Sequence, residues 1–244
     1  MQRIRILTAN AGALGDQLDA AVFAQTPDVV ALTGIGPARA LRLAGPRSMR
    51  AATQGWSGDE NVGIALLWKA ALAVGSLDRF DFGKLREPCG ALRIGFPLDG
   101  RHVSVYCALL TTNATEAAEQ QTRFAGLIES TGQPTLAACE ATVDDAGGPL
   151  SRCADAWTIA QRRVVTLSAA ANAGLAAQRA FGIAREAKPV DLRSLAGPIW
   201  HCSAEFSVVE TRSIAVAGSP DRPVRTATVA LRAGAAEENV AIAL

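Results

Sequence analysis

Hydrophobic and polar positions follow two periods along this chain, and the switches between them mark its elements. Arg3 to Thr8 alternates, with Ile4, Ile6 and Thr8 on one face and Arg3, Arg5 and Leu7 on the other, which predicts a strand with a charged end. Leu14, Leu18 and Val22 then recur at i, i+4 and i+8 and Pro27 closes the run, so a helix is expected before it. Asp28 to Thr33 is almost continuously apolar over a strand length, the pattern of a strand covered on both faces. Val62 to Trp68, Leu92 to Phe96 and His102 to Leu110 are three more strands, the last rich in β-branched and aromatic residues.

Asn113, followed three residues later by Glu116, has the logic of a capping box. It opens a helix whose apolar stripe is Phe124, Leu127 and Ile128, and Gly132-Gln133-Pro134 ends it. Thr135 to Cys139 reads as a short buried strand, and Gly147-Gly148-Pro149 as a turn. Alanine dominates from Val164 to Ala187, where a helix is expected over Ala169 to Ala180. Ile199 to Ser203, Phe206 to Ile214 and Val224 to Leu231 return to strands. No linker, charge run or fixed-period repeat divides the chain, so 1–232 reads as one α/β domain and 233–244 as a C-terminal tail.

Composition narrows the classes. The 244 residues are 49% hydrophobic, and 24 Lys+Arg against 23 Asp+Glu leave a formal net charge of +1. Disorder needs low hydrophobicity with high net charge, and a nucleic-acid binder needs a basic excess. Neither is present. The mean hydropathy of +0.17 is high for a soluble monomer, so apolar surface beyond the core's needs is expected in a protein interface. The apolar run after Arg5 is too short for a secretory signal, and no stretch of about 20 apolar residues could span a bilayer. A cytoplasmic protein is expected. Cys89, Cys107, Cys139, Cys153 and Cys202 show no CxxC spacing and read as buried thiols.

Short motifs carry little chemistry. Gly34-Ile35-Gly36 follows a strand as a phosphate-cradling loop would, but Arg39 stands where a third glycine belongs, so a plain turn is expected. His102 and His201 read as half-buried strand imidazoles. The pairs Asp59-Glu60, Asp144-Asp145 and Glu237-Glu238 read as solvated, because neighbours on extended backbone point to opposite faces.

Taken in order, the segments resemble the endonuclease/exonuclease/phosphatase (DNase-I-like) superfamily of metal-dependent phosphodiesterases. Arg5-Ile-Leu-Thr-Ala-Asn10 is similar to its opening strand ending in "TWN", and Pro27-Asp-Val-Val-Ala-Leu-Thr-Gly34 to "PDVVALQE". Gly63-Ile-Ala-Leu-Leu67 resembles "GVAIL", and Val105-Tyr-Cys-Ala-Leu109 falls where "VNTHL" would stand. Pro134 to Thr142 falls at "PVILAGDFN", Asp155-Ala-Trp157 matches "DAW", and Ser219-Pro-Asp-Arg-Pro-Val224 resembles "SDHRPV". The fold this implies is a four-layer α/β/β/α sandwich of two mixed sheets flanked by helices.

The departures bear on function. In the family the "TWN" Asn, the "QE" Glu and the "GDFN" Asp and Asn bind the metal and place the nucleophile, while two histidines orient phosphate and activate water. Here Asn10 is kept, but the Glu position is Gly34 and the first His falls on Ala108. Glu140 and Thr142 replace the "GDFN" pair, and Pro220-Asp221 replaces Asp-His or, with a one-residue gap, Asp221 remains and the His is lost. The resemblance therefore implies a lost Mg²⁺ site and no cofactor. Two readings follow. The first is a non-catalytic partner subunit of another, biosynthetic bacterial enzyme, or a homo-oligomer, with no nucleic-acid or membrane partner. The second is a metal-independent enzyme acting on a small molecule in specialised metabolism, with Asn10, Cys139, Glu140, Thr142 and Asp221 as candidate cleft residues. In it Glu140 is a possible base and Cys139 a possible nucleophile. A residual metal-dependent phosphodiesterase ranks third.

Overall fold

The computed structural model describes residues 2–56, 62–82, 89–110, 114–140, 199–202, 205–216 and 219–232. In chain order these form β1 (Arg3–Asn10), α1 (Ala11–Leu14), α2 (Leu18–Phe23), β2 (Val29–Thr33), α3 (Pro37–Ala44), β3 (Met49–Gly55), β4 (Gly63–Lys69) and β5 (Ser76–Asp81). Then come β6 (Gly90–Leu98), β7 (Arg101–Leu109), α4 (Ala114–Ser130), β8 (Thr135–Glu140), β9 (Ile199–Cys202), β10 (Phe206–Val216) and β11 (Ser219–Leu231). The expected helix at Ala169–Ala180, the acidic pairs, Asn113, Thr142 and the tail lie outside the described residues.

The strands form two mixed sheets. One has the order β10-β11-β1-β2-β4-β3 and the other β5-β6-β7-β8-β9. β1 runs parallel to β2, and β7 parallel to β8. Each parallel pair needs a crossover, supplied by α1 and α2 in the first sheet and by α4 in the second. This is the α/β/β/α sandwich expected above.

Strand alternation divides the apolar residues among three clusters. Between the sheets lie Ile4, Ile6, Val29, Ala31, Ile64, Leu66, Leu92, Ile94, Phe96, Val105 and Cys107. On the outer face of the first sheet, Leu7, Val30, Leu32, Ala65 and Leu67 pack against Leu14, Leu18, Val22 and Ala40 of the short helices. On the outer face of the second, Tyr106, Ala108, Ala137 and Cys139 meet Phe124, Ala125 and Ile128 of α4. Among the described residues no helix is long and apolar enough to cross a membrane.

The single helix expected before Pro27 is broken. Gly15, at φ 50°, ends α1 and a 3-10 turn leads into α2, yet Leu14, Leu18 and Val22 still reach one cluster. The turn at Gly34-Gly36 does open a helix, α3, with Pro37 in its first turn. Proline brings no N–H, which removes an amide that a phosphate would need there.

Candidate functional site

The carboxyl ends of β1, β2, β7 and β8 share one end of the sandwich. Asn10 pairs with Thr33 at the ends of β1 and β2, and Leu109 with Glu140 at the ends of β7 and β8. The Cys107 thiol donates to the Leu32 carbonyl at 3.5 Å, tying the two edges together. On the β3 side the rim is closed, because the Gln54 amide donates to the Phe80 carbonyl at 3.2 Å across the sheets. Gly90 leaves room there for Trp56: a Cβ at that position would come within 2.8 Å of the indole.

Asn10 is turned inward on its own chain. Its Oδ1 accepts the Ala13 amide at 2.9 Å and so caps α1. Gly34 follows β2 at φ 63°, a left-handed conformation that favours glycine. A Cβ on Gly34 would lie 3.0 Å from Asn10 Oδ1 and 3.1 Å from the Gly12 amide nitrogen. The Asn10 carboxamide and the backbone of Gly12 thus crowd the volume a side chain at position 34 would need. A hard dication seeks several oxygen ligands, including carboxylates. Position 34 offers none, and a side chain there would be strained and would have to push its neighbours aside, so the described residues do not fit a Mg²⁺ ion there. Among them, no group of three or more His, Cys, Asp or Glu side chains could hold a metal ion.

The other candidates fall in different places. Cys139 is not a cleft residue: it lies in the outer cluster with Phe82, Tyr106 and Phe124, and is 2% exposed. The parity of β8 decides this, since Leu136 and Ala138 are the residues that join the inter-sheet cluster. Ala108 is likewise outward, beside Cys139. At this end of β7 a group acting between the sheets would have to stand at Cys107 or Leu109, which continue the inward face of Val103 and Val105. Glu140 ends β8, and Asp221 lies within β11 between Ser219 and Val224, whose β10 partners are Val216 and Ile214. His102 is exposed on β7, not half-buried, and His201 is on β9.

Two hydroxyls and a cation were not expected at the rim. Thr8 and Thr33 are each 1% exposed and continue the inward faces of Ile4-Ile6 and Val29-Ala31. Arg225 pairs with Thr8 across β11 and is 9% exposed. It shares the inward parity of Ala227, Val229 and Leu231, whereas Val224 packs under the helices. Burial pushes the pKa of its guanidinium down. Alternation already placed Thr8 with Ile4 and Ile6. The same count applied backwards from Leu231 would have found Arg225.

No protein-family model matches the chain, and no curated protein does. Solved structures do. The human Nocturnin catalytic domain with bound sulfate superposes with a TM-score of 0.66 at 12% identity, covering 94% of each chain. An endonuclease/exonuclease/phosphatase from Bacteroides vulgatus gives 0.66 at 11% identity over 95% of this chain and 100% of its own. One from Beutenbergia cavernae gives 0.59 at 16% identity, over 95% and 72%.

Proposed function

We propose that this chain, whose fold is that of the endonuclease/exonuclease/phosphatase, DNase-I-like proteins, has kept the fold without phosphodiesterase chemistry and serves as a non-catalytic partner subunit of another bacterial, biosynthetic enzyme in the cytoplasm. The observation that carries the reading is the packing of Asn10 Oδ1 and the Gly12 backbone against Gly34, where the resemblance would seat a metal-binding carboxylate. Phosphoryl transfer in such sites depends on a positioned cation and on electrostatic stabilisation of developing charge. A glycine in a left-handed turn contributes neither. The apolar surplus of the composition supports the partner half of the reading.

The test has two arms. Hydrolysis of a chromogenic phosphodiester with Mg²⁺ or Mn²⁺ should not exceed the enzyme-free blank, and metal-dependent turnover that EDTA abolishes would refute the loss of chemistry. Native purification should bring down a stoichiometric partner, identified by mass, or show a defined homo-oligomer by light scattering. A monomer that retains no partner would refute the subunit role.

A second reading, a metal-independent enzyme acting on a small molecule, is favoured by one observation. Arg225 holds a buried cation on the inward face beside two buried hydroxyls. Such a convergence of polar groups at the mouth of a sandwich suits a small ligand better than a flat protein contact. Turnover of a small molecule in the presence of EDTA would support it, and inactivity across a metabolite panel would count against it.

A further inference from the structure

We propose that the open edge of β3 is a docking surface for a single extended segment of another protein, one that alternates apolar and acidic residues and adds as a further strand of the first sheet. The inference names the surface and the chemistry of the partner in the first reading above and rests on that reading.

The backbone of β3 is half used. The Ala70 amide donates to the Ser48 carbonyl at 3.3 Å, and opposed residues of an antiparallel ladder alternate between bonded and unbonded pairs. Arg50, Ala52 and Gln54 therefore bond to Trp68, Leu66 and Ile64 of β4, while the amides and carbonyls of Met49, Ala51 and Thr53 point away from it. Of these outward groups the Thr53 carbonyl accepts the Arg79 Nε–H at 3.2 Å, and the others have no partner among the described residues. β3 ends its sheet, its register with β4 is unbroken, and its middle is the short pair Ala51-Ala52. It lacks the proline and the bulge that blunt the edges of natural sheets.

The two sheets are also out of step on this side. Gln54 reaches the Phe80 carbonyl and, with Trp56, lies against Gly90, so β3 stands over β6 and the near margin of β5. β5 projects beyond it, and among the described residues no strand of the first sheet covers β5. Leu77 is accordingly 40% exposed, although it pairs with Ile94 on the face that is buried between the sheets. The space beside β3 and over β5 has the width of one strand.

These surroundings select the guest. An added strand would bond to the outward groups of β3, and its inward row would lie on Leu77, Arg79 and Asp81 of β5. Arg79 meets Thr53 and Phe80 meets Gln54, so the two edge strands run in the same direction and Leu77 comes beside Ala51. An apolar residue fits Leu77. A carboxylate fits Arg79, whose guanidinium has donors beyond the Nε–H given to Thr53. Asp81 is already engaged within the chain, Asp78 is held on the other face by Arg93, and residues 29–58 include no acid, so the place is cationic for a guest. A second copy cannot fill it with its own β3, because the β5 of that copy would need the volume that the first β5 occupies.

The experiment uses the full chain and a blocked peptide as long as β3, seven residues, alternating valine and glutamate. Binding is read by the anisotropy of labelled peptide and by amide hydrogen exchange resolved by NMR. In the free chain the Ala51 and Thr53 amides should exchange freely while that of Ala52 is protected, and saturating peptide should slow the first two by about tenfold or more. A valine–lysine peptide should bind about tenfold or more weakly, and Arg79→Glu should invert that preference. Methylating every second peptide amide should abolish binding in one phase and spare it in the other, since one edge of the guest faces β3. Ala51→Pro removes an outward amide and no bond to β4, and should lose the peptide. Should it lose its circular-dichroism signature, Arg79→Glu and the methylated peptides decide alone.

The proposal is overturned if the valine–glutamate peptide does not saturate, or saturates without protecting Ala51 and Thr53. It is overturned equally if both peptides bind alike or both methylation phases act alike. A homodimer by light scattering that Ala51→Pro dissociates would assign the edge to a second copy and overturn it too. A natively purified partner that stays bound to the Ala51→Pro and Arg79→Glu proteins would leave the subunit reading standing and remove this surface from it. Peptide binding as expected, with no co-purifying partner, sustains the surface and counts against the subunit reading.

Discussion

The space between the two sheets contains two unlike regions. Below the rim, Ile4, Ile6, Val29, Leu66, Ile94, Phe96 and Val105 interdigitate as aliphatic and aromatic groups, all at most 1% exposed. At the rim the same strands carry Thr8, Asn10, Thr33 and Arg225, and the backbone turns through Gly12 and Gly34. The interior is specified by volume alone, so many sequences could fill it. The rim is specified by conformation and by polar partners, so few substitutions fit. A fold can therefore survive wide divergence below the rim, while each change at the rim rewrites what the site can do. That contrast accounts for superposition over nearly the whole chain at identities of 11–16%.

The sharpest way to break the contrast is to cut into the interior. Leu66 is fully buried between the sheets. Leu66→Ala should cost about 2–5 kcal/mol, through lost transfer free energy and an unfilled cavity, read as a lowered urea midpoint with unchanged slope. A loss near zero would mean that the sheets close over the gap and that the interior is not close-packed.

At the rim the next largest effect is expected from restoring the carboxylate. Gly34→Glu puts a side chain at φ 63°, with its Cβ 3.0 Å from Asn10 Oδ1. A left-handed residue costs about 1–2 kcal/mol, and the contact adds to it. Gly34→Ala, which has the same strain without the charge, should lose nearly as much. Neither variant should gain stability from Mg²⁺. A Gly34→Glu protein as stable as the parent, with its thermal midpoint raised by millimolar Mg²⁺, would show that the rim is a metal site missing one ligand and not a rebuilt turn.

Asn10→Ala removes the acceptor of the Ala13 amide and should cost about 0.5–2 kcal/mol. Asn10→Asp keeps an acceptor of the same reach and should cost far less. Equal losses in the two variants would mean that the carboxamide N–H₂, and not the cap, holds Asn10 in place.

The fold was more legible in the sequence than the rim was, for a physical reason. Strands covered on both faces, such as β2 and β4, show continuous apolar runs, and β1 shows strict alternation. The edge strands β3 and β5 were missed, because Met49–Gly55 and Ser76–Asp81 have half-solvated faces and offer no run to recognise. At the rim the resemblance pointed to Asn10 and Gly34, which do meet. It also pointed to Cys139 and Ala108, which do not face the cleft. A motif match counts residues along the chain, but the side a strand residue faces turns on a single step of parity. Arg225 went unnoticed because a cation in a strand reads as a solvated edge until its neighbours are known.

Parity supplies the smallest and most discriminating prediction. Cys139 belongs to the cluster under α4, beside Tyr106 and Phe124, and is 2% exposed. Its thiol should resist a bulky maleimide in the native state and react only on unfolding. Cys139→Ala should cost about 1 kcal/mol at most, since it removes one polarisable atom from a packed layer. It should leave any ligand affinity at the rim unchanged, because the β8 backbone separates the two faces. Cys107 provides the control. It lies on the inward face with its thiol on the Leu32 carbonyl, so Cys107→Ala should disturb rim binding more than Cys139→Ala does. If the order were reversed, the face assignment of β7 and β8 would be wrong by one residue, and Ala108 and Cys139 would return to the cleft together.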